Sequence, residues 1–93
     1  MEIGRSVLKQ TAMALQSSSG WSVVLGKHSK ELHTCGVFYS RNKNRWYYYV
    51  NTSWCNLLIR YDDELEAFEK LIRFLEYEAK KRRINKTYDN LEV

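Results

Sequence analysis

The chain has 93 residues, a net charge of +4 and no proline, and 44% of its residues are hydrophobic. A chain of this length forms one domain with one core, which leaves little room for a deep substrate cavity. It contains no apolar run long enough to span a membrane, so we expect a cytoplasmic protein that does not associate with membranes.

The first segment, residues 1–20, is predicted to be a helix. Apolar residues recur at helical spacing from Ile3 to Leu15 and form one apolar stripe. A serine run that ends in Gly20 stops the helix, because serine prefers local backbone hydrogen bonds and glycine suits a helix end.

Residues 21–61 are rich in β-branched and aromatic residues and are predicted to form an antiparallel sheet of three to four strands. The strand candidates are residues 21–25, 34–40, 45–50 and 54–61. Short polar turns separate the last three strands, which favours a meander.

A second helix is predicted over residues 63–84 and is the clearest element of the chain. Asp63 and Glu66 have the spacing of a capping box, and apolar residues step by three and four from Leu65 to Ala79. Residues 85–93 are polar and are expected to form a flexible tail. The fold class is therefore α+β, a single domain in which the C-terminal helix packs on the sheet.

The residue pattern does not indicate a catalytic site, a cofactor site or a metal site. The chain has no nucleophile motif and no phosphate-binding glycine loop. His28, His33, Cys35 and Cys55 do not have the spacing of a zinc site. We expect a protein that is not an enzyme and has no cofactor, with both cysteines reduced in the core, although one disulfide is left open.

The strand pair from Gly36 to Val50 is rich in aromatic residues on both sides. Because side chains alternate along a strand, Trp46 and Tyr48 share one face while Tyr47 and Tyr49 share the other. One helix can cover only one face of a small sheet. The other face meets the first helix, a second copy of the chain or a partner, and a two-sided core is the alternative to a binding surface.

Aromatic residues interleaved with arginine and lysine can stack on bases while the cations hold phosphates. A basic run at the end of the second helix is explained first as a charged end that complements the helix dipole, and the same charges can also contact phosphates. The predicted nucleic-acid-binding residues are Tyr39, Arg41, Lys43, Arg45, Tyr47, Tyr49, Asn51, Lys80, Lys81, Arg82 and Arg83.

The segment of residues 36–83 resembles a known DNA-binding module. The residues that carry the resemblance are Gly36-Val37, Tyr39, the basic turn, Arg45-Trp46, Val50, Leu58, Tyr61-Asp62-Asp63 and Glu66-Ala67. The module is the three-strand-plus-helix domain of plant ethylene-response factors, and the versions fused to phage homing endonucleases are more similar. The arm-binding domain of tyrosine integrases shares the architecture.

This resemblance implies a DNA-binding protein encoded by a phage or mobile element, in which the sheet lies in the major groove. The family usually carries arginine, lysine or tryptophan on the groove face, where this chain has Phe38, Ser40, Tyr47, Tyr49 and Cys55. Double-stranded RNA-binding domains have a similar element order but place lysines at the start of the last helix. The acidic residues at that point of this chain would repel phosphate, so we reject that reading.

Two functional hypotheses follow from the sequence. The first is a small non-enzymatic protein that binds duplex or single-stranded DNA, an accessory or regulatory factor. The alternative is a small phage-type inhibitor or adaptor that binds a host protein through the aromatic sheet face, in the host cytoplasm. Exposed apolar patches of this kind mark protein contacts, and a homodimer through the same face is a variant of this alternative.

Overall fold

The computed structural model has two helices and four strands and describes the backbone of residues 2–91 and the side chains of residues 6–84. In chain order the elements are α1 (Glu2–Ser19), β1 (Ser22–Val23), β2 (Thr34–Ser40), β3 (Arg45–Asn51), β4 (Asn56–Tyr61) and α2 (Glu64–Leu91). The predicted α+β class is confirmed, with a C-terminal helix packed on a four-stranded sheet.

The sheet has the strand order β1-β2-β3-β4. β2, β3 and β4 form the predicted antiparallel meander, in which Tyr48 lies opposite Val37 on one side and Ile59 on the other. β1 pairs parallel to β2, with Ser22 opposite Thr34, so the prediction of a fully antiparallel sheet is wrong at this strand. A parallel pair needs a crossover instead of a tight turn, and the polar residues after β1 supply it.

α1 forms where the apolar stripe predicts it and ends at the glycine. Ala12 is fully buried, while Val7, another member of the stripe, stays exposed. Gly20 has a φ of 78° and its N–H donates to the Gln16 carbonyl at 2.9 Å, which closes the helix end. The predicted stripe also includes Ile3, whose side chain lies outside the described residues.

α2 begins at a capping residue that the sequence identifies. The Asp63 carboxylate accepts a hydrogen bond of 3.2 Å from the Leu65 N–H. Phe68, Leu71 and Leu75 then face the core and are buried. The helix continues to Leu91, beyond residue 84, because this stretch contains no proline or glycine to stop it.

Both helices lie on the same face of the sheet. α1 packs chiefly on α2 and also contacts β1, whereas α2 packs across β2, β3 and β4. The buried core between helices and sheet consists of Ala12, Val23, Cys35, Val37, Tyr48, Val50, Ala67, Phe68, Leu71 and Leu75. α1 therefore does not cover the face that carries Tyr47 and Tyr49, which was one of the arrangements left open by the sequence.

The two cysteines occupy different environments and are both free. Cys35 is buried in the core as predicted, and burial raises the pKa of its thiol to about 12. Cys55 is exposed, so the prediction of a core position is wrong for this residue. It lies in the turn before β4, outside the buried core. Neither described helix is long and apolar enough to cross a membrane.

Candidate nucleic-acid interface

We call the sheet face opposite the helices the open face. The strand register places on it Phe38, Ser40, Arg45, Tyr47, Tyr49, Asn51, Asn56, Leu58 and Arg60. β2, β3 and β4 contain no aspartate or glutamate, so the strand residues of this face carry only positive charge.

Residues 27–33, which we call the covering loop, lie over one half of the open face. The Tyr49 hydroxyl donates to the Val24 carbonyl at 3.2 Å and accepts from the Ser29 N–H at 3.3 Å. Tyr49 is 0% exposed, and burial raises the pKa of its phenol. The ring thus belongs to a small second core under the loop.

Asn51 fixes the same loop to the sheet. Its side-chain amide donates to the carbonyls of Ser29 and Glu31, at 2.7 and 3.1 Å, and to the Thr34 hydroxyl at 3.0 Å. Asn51 is 1% exposed. The structure therefore gives Asn51 and Tyr49, two residues predicted to contact nucleic acid, an internal role in holding the covering loop.

A column of stacked side chains crosses the open face next to the loop. The His28 ring stacks on Phe38 with a centroid distance of 5.0 Å, and Phe38 stacks on Tyr47 at 5.4 Å. The Lys43 ammonium lies 5.7 Å from the centroid of Tyr47. His28 and Tyr47 stack on Phe38, which leaves little of the Phe38 ring surface free for a base to stack on.

The uncovered half of the open face is basic. Arg60 lies on β4 directly opposite Tyr47, and Lys43 reaches the same ring from the β2–β3 turn. Arg45 stands on this face as well, and its guanidinium pairs with the Asp62 carboxylate at 3.0 Å. Lys43 and Arg60 have no ion pair within the described part of the chain.

The charges of the protein are separated between its two layers. Residues 21–61, the sheet and its loops, carry Lys27, Lys30, Arg41, Lys43, Arg45 and Arg60 against Glu31 alone. The described side chains of α1 and of residues 62–84 carry Lys9, Lys70, Arg73, Lys80, Lys81, Arg82 and Arg83 against Asp62, Asp63, Glu64, Glu66, Glu69, Glu76 and Glu78. The excess positive charge of the described side chains therefore belongs to the sheet layer.

Tyr39 and Arg41 lie on the helix side of the sheet instead of the open face. They line a half-open groove of about 370 Å³ together with Lys9, Leu25, Gly26, Val37, Trp46 and Phe68. The Tyr39 ring meets Trp46 edge to face at 5.2 Å, and its hydroxyl donates to the Asn44 side chain. These two predicted site residues are therefore not brought together with Lys43 and Tyr47.

The basic cluster of α2, Lys80 to Arg83, lies at the other end of the molecule. α2 starts after Tyr61, which pairs with Trp46 near the β2–β3 turn, and reaches the C-terminus of α1 at Arg82. There Arg82 donates to the Ser17 and Ser18 carbonyls at 3.0 and 3.3 Å. Arg82 thus caps α1, and the cluster does not extend the basic half of the open face.

Sequence reasoning missed Arg60, and the covering loop with Lys27, His28 and Lys30. Arg60 could have been found, because alternation within the predicted strand 54–61 places it on one face with Leu58. The loop gave no such signal, since its polar composition is that of an ordinary connection. Burial of the His28 ring, and secondarily the charge of Lys30, lowers the pKa of His28.

Comparison with known proteins adds no relative. No protein-family model, no curated protein and no solved structure matches the chain. The resemblance to the three-strand-plus-helix DNA-binding module therefore stays a prediction. Among the described side chains, no group of three or more histidine, cysteine or acidic residues could hold a metal ion.

Proposed function

We propose that this protein binds nucleic acid, without catalysing a reaction, through the uncovered basic half of the open face. The observation that carries the proposal is the separation of charge between the layers, with six basic residues and one acidic residue in residues 21–61. Three of these cations, Lys43, Arg45 and Arg60, stand around the uncovered half. Such a surface attracts phosphate and raises the rate of encounter with it.

The geometry favours contacts to the phosphate backbone over contacts to bases. Single-strand binding depends on exposed aromatic faces on which bases stack. Here His28 and Tyr47 stack on Phe38, and Tyr47 and Tyr49 are buried. We therefore infer a preference for duplex, whose phosphates lie about 1.7 Å apart along the axis and offer the higher charge density. DNA is the first ligand to test, with RNA as a second arm.

The alternative of a host-protein inhibitor or adaptor loses its original support at this face. It depended on an apolar sheet surface that no element of the chain covers. The covering loop and the stacked column bury Tyr47 to 8% and Tyr49 to 0% exposure, and outside the column Leu58 is the exposed apolar residue on a face that is otherwise polar. We therefore keep nucleic acid as the proposed partner of the open face.

The test is a titration of a fluorescently labelled 20-base-pair DNA duplex followed by anisotropy, at several salt concentrations. The double variant Lys43→Glu, Arg60→Glu should weaken binding at least tenfold at low salt. A plot of log affinity against log salt has a negative slope, and each lost phosphate contact should make that slope less steep by about 0.9.

The matched control is Lys70→Glu, Arg73→Glu, which makes the same change of charge on the exposed side of α2. This variant should bind the duplex with an affinity within about threefold of that of the unaltered protein. Salt screens the electrostatic field of charges that lie far from the interface. Equal losses in both variants would show that net charge, and not the open face, governs binding. Absence of micromolar binding at low salt would reject the proposal altogether.

A further inference from the structure

β4 is an edge strand whose outer side has no strand partner among the described residues. The sheet order ends at β4, which has six residues from Asn56 to Tyr61. The opposite edge, β1, has two residues. Natural proteins keep edge strands short or protect them, because unpaired backbone groups accept a strand from another chain. The long unprotected edge of this sheet is therefore β4.

Large apolar side chains surround this edge. Trp54 is 89% exposed, and Leu57 and Leu58 are 41% and 45% exposed on the two sides of β4. Leu57 points to the helix side, so its exposure means that α2 leaves this end of β4 uncovered.

The residue pattern of β4 is symmetric about Leu58. The five residues Asn56-Leu57-Leu58-Ile59-Arg60 read polar, apolar, apolar, apolar, polar in both directions. In a two-fold interface each residue must suit the residue that the same strand presents from the other copy. A strand of another protein would not require this symmetry, so the pattern favours a second copy of this chain as the occupant.

We propose that two copies of the protein form a dimer by antiparallel pairing of β4 with β4, with Leu58 opposite the partner's Leu58. Antiparallel partners share one sheet face. Leu57 then lies opposite the partner's Ile59 on the helix side, and Asn56 opposite the partner's Arg60 on the open face. Every apolar residue meets an apolar one, and the amide oxygen of Asn56 can accept from the guanidinium of the partner's Arg60.

Repulsion between the two Arg60 side chains favours the register centred on Leu58 over the register centred on Ile59. The two Arg60 side chains lie four residues apart along the joined strands, which separates their Cα atoms by about 14 Å. Centring the pair on Ile59 instead would make Arg60 a diagonal neighbour of the partner's Arg60, and like charges at that range are unfavourable.

A cavity beside the strand supports the same arrangement. It has a volume of about 260 Å³ and is lined by Tyr48, Val50, Thr52, Trp54, Cys55, Leu57 and Phe74. In the proposed register the partner's Tyr61 faces Cys55, at the mouth of this cavity. A ring of the second copy therefore lies where it can cover the apolar lining and Trp54.

The dimer would have one continuous eight-stranded sheet, with all four helices on one side and both open faces on the other. Its two-fold axis stands perpendicular to the sheet, which doubles the basic surface. The pairing is argued from β4 alone and does not depend on what the open face binds.

Disulfide trapping tests the register. Directly opposite residues have Cα atoms about 4.5–5.5 Å apart, within the range of a disulfide, whereas about 14 Å is far outside it. Leu58→Cys in a Cys55→Ser background should give a covalent dimer under mild oxidation. Arg60→Cys in the same background is the matched control and should stay monomeric on denaturing gels.

Sedimentation at two concentrations tests the dimer itself, without nucleic acid. The unaltered protein should shift towards dimer as its concentration rises. Leu58→Lys should remain monomeric, because the substitution places two positive charges opposite each other at the two-fold axis. Its circular dichroism spectrum should be unchanged. A monomer at several hundred micromolar would overturn the proposal, and so would equal cross-linking of both cysteine variants. If the protein forms this dimer but does not bind DNA, the proposed function is contradicted and the strand pairing is not.

Discussion

The side-chain amide of Asn51 donates a hydrogen bond of 2.7 Å to the backbone carbonyl of Ser29, across a separation of 22 residues in the chain. The backbone of Asn51 joins in, since its carbonyl accepts from the His33 N–H at 3.0 Å. One residue at the end of β3 thus ties the middle and the end of the covering loop to the sheet. The loop determines which half of the open face is accessible.

Replacing Asn51 with alanine should destabilise the protein by about 2–3 kcal/mol, because the buried Asn51 amide donates to two loop carbonyls and to the Thr34 hydroxyl. Urea denaturation measures the free energy of unfolding, and hydrogen exchange of the His33 amide should speed up at the same time. Asn42→Ala, at an exposed turn position, is the control and should stay within about 0.5 kcal/mol. Equal effects of the two changes would mean that the Asn51 contacts contribute nothing to stability.

Gly36→Ala should destabilise the protein more than Gly26→Ala. A Cβ at Gly36 would lie 1.8 Å from the Val24 carbonyl oxygen, which is backbone and cannot turn aside. We expect a loss of about 3 kcal/mol from this overpacking. Gly26→Ala meets nothing within 4 Å but sits at a φ of 85°, so its cost should be about 1 kcal/mol. Thermal or urea unfolding that ranks Gly26→Ala above Gly36→Ala would contradict this close approach.

His28 should make stability depend on pH. Burial and Lys30 lower its pKa in the folded protein, so below about pH 6.5 the unfolded chain binds the proton first. The contribution of His28 is therefore complete above that pH and declines as the pH falls towards the folded-state value. The difference in free energy of unfolding between the unaltered protein and His28→Asn should shrink from pH 8 to pH 5. A difference that grows on acidification would have the wrong sign.

The two thiols should react with very different rates. Burial raises the pKa of Cys35 to about 12, so hardly any thiolate exists at pH 8, whereas Cys55 is exposed. Native protein should react with a single equivalent of an aromatic disulfide reagent within minutes, and Cys55→Ser with none. Denaturant should release the second thiol. Rapid reaction of native Cys55→Ser would show that the core around Cys35 opens readily.

Arg82→Ala should destabilise the protein by about 1 kcal/mol, since its guanidinium satisfies the Ser17 and Ser18 carbonyls at the end of α1. Lys80→Ala removes a neighbouring exposed cation without those bonds and should cost less than about 0.5 kcal/mol. Urea denaturation at moderate salt separates the two. A similar cost for both would mean that Arg82 acts through the helix dipole and not through its hydrogen bonds.

Strong local patterns account for the elements that the sequence predicts well. β2 begins and ends at the predicted residues, and α2 begins one residue after its predicted cap, Asp63. The alternation from Trp46 to Val50 also places each ring on the correct face. These features depend on neighbours two to four residues away, which a sequence displays directly.

Long-range contacts account for what the sequence does not show. β1 runs parallel to β2 because Asn51 and Tyr49 hold the connection between them over the open face, and no local signal records these bonds. The side of Tyr39 could have been predicted, because alternation within β2 places it on the face opposite Phe38. Arg41 lies in the turn after β2, where alternation no longer applies, and it lines the groove on the helix side with Trp46 and Phe68.

The packing of α1 on α2 brings together the first and the last elements of the protein. On the ribosome, α1 is synthesised long before the helix on which it packs, whereas β2, β3 and β4 find their pairing partners among their sequence neighbours. Contacts between distant residues form slowly because a long loop must close first. We therefore expect the meander to form before α1 packs, and α1 to remain unpacked until α2 emerges.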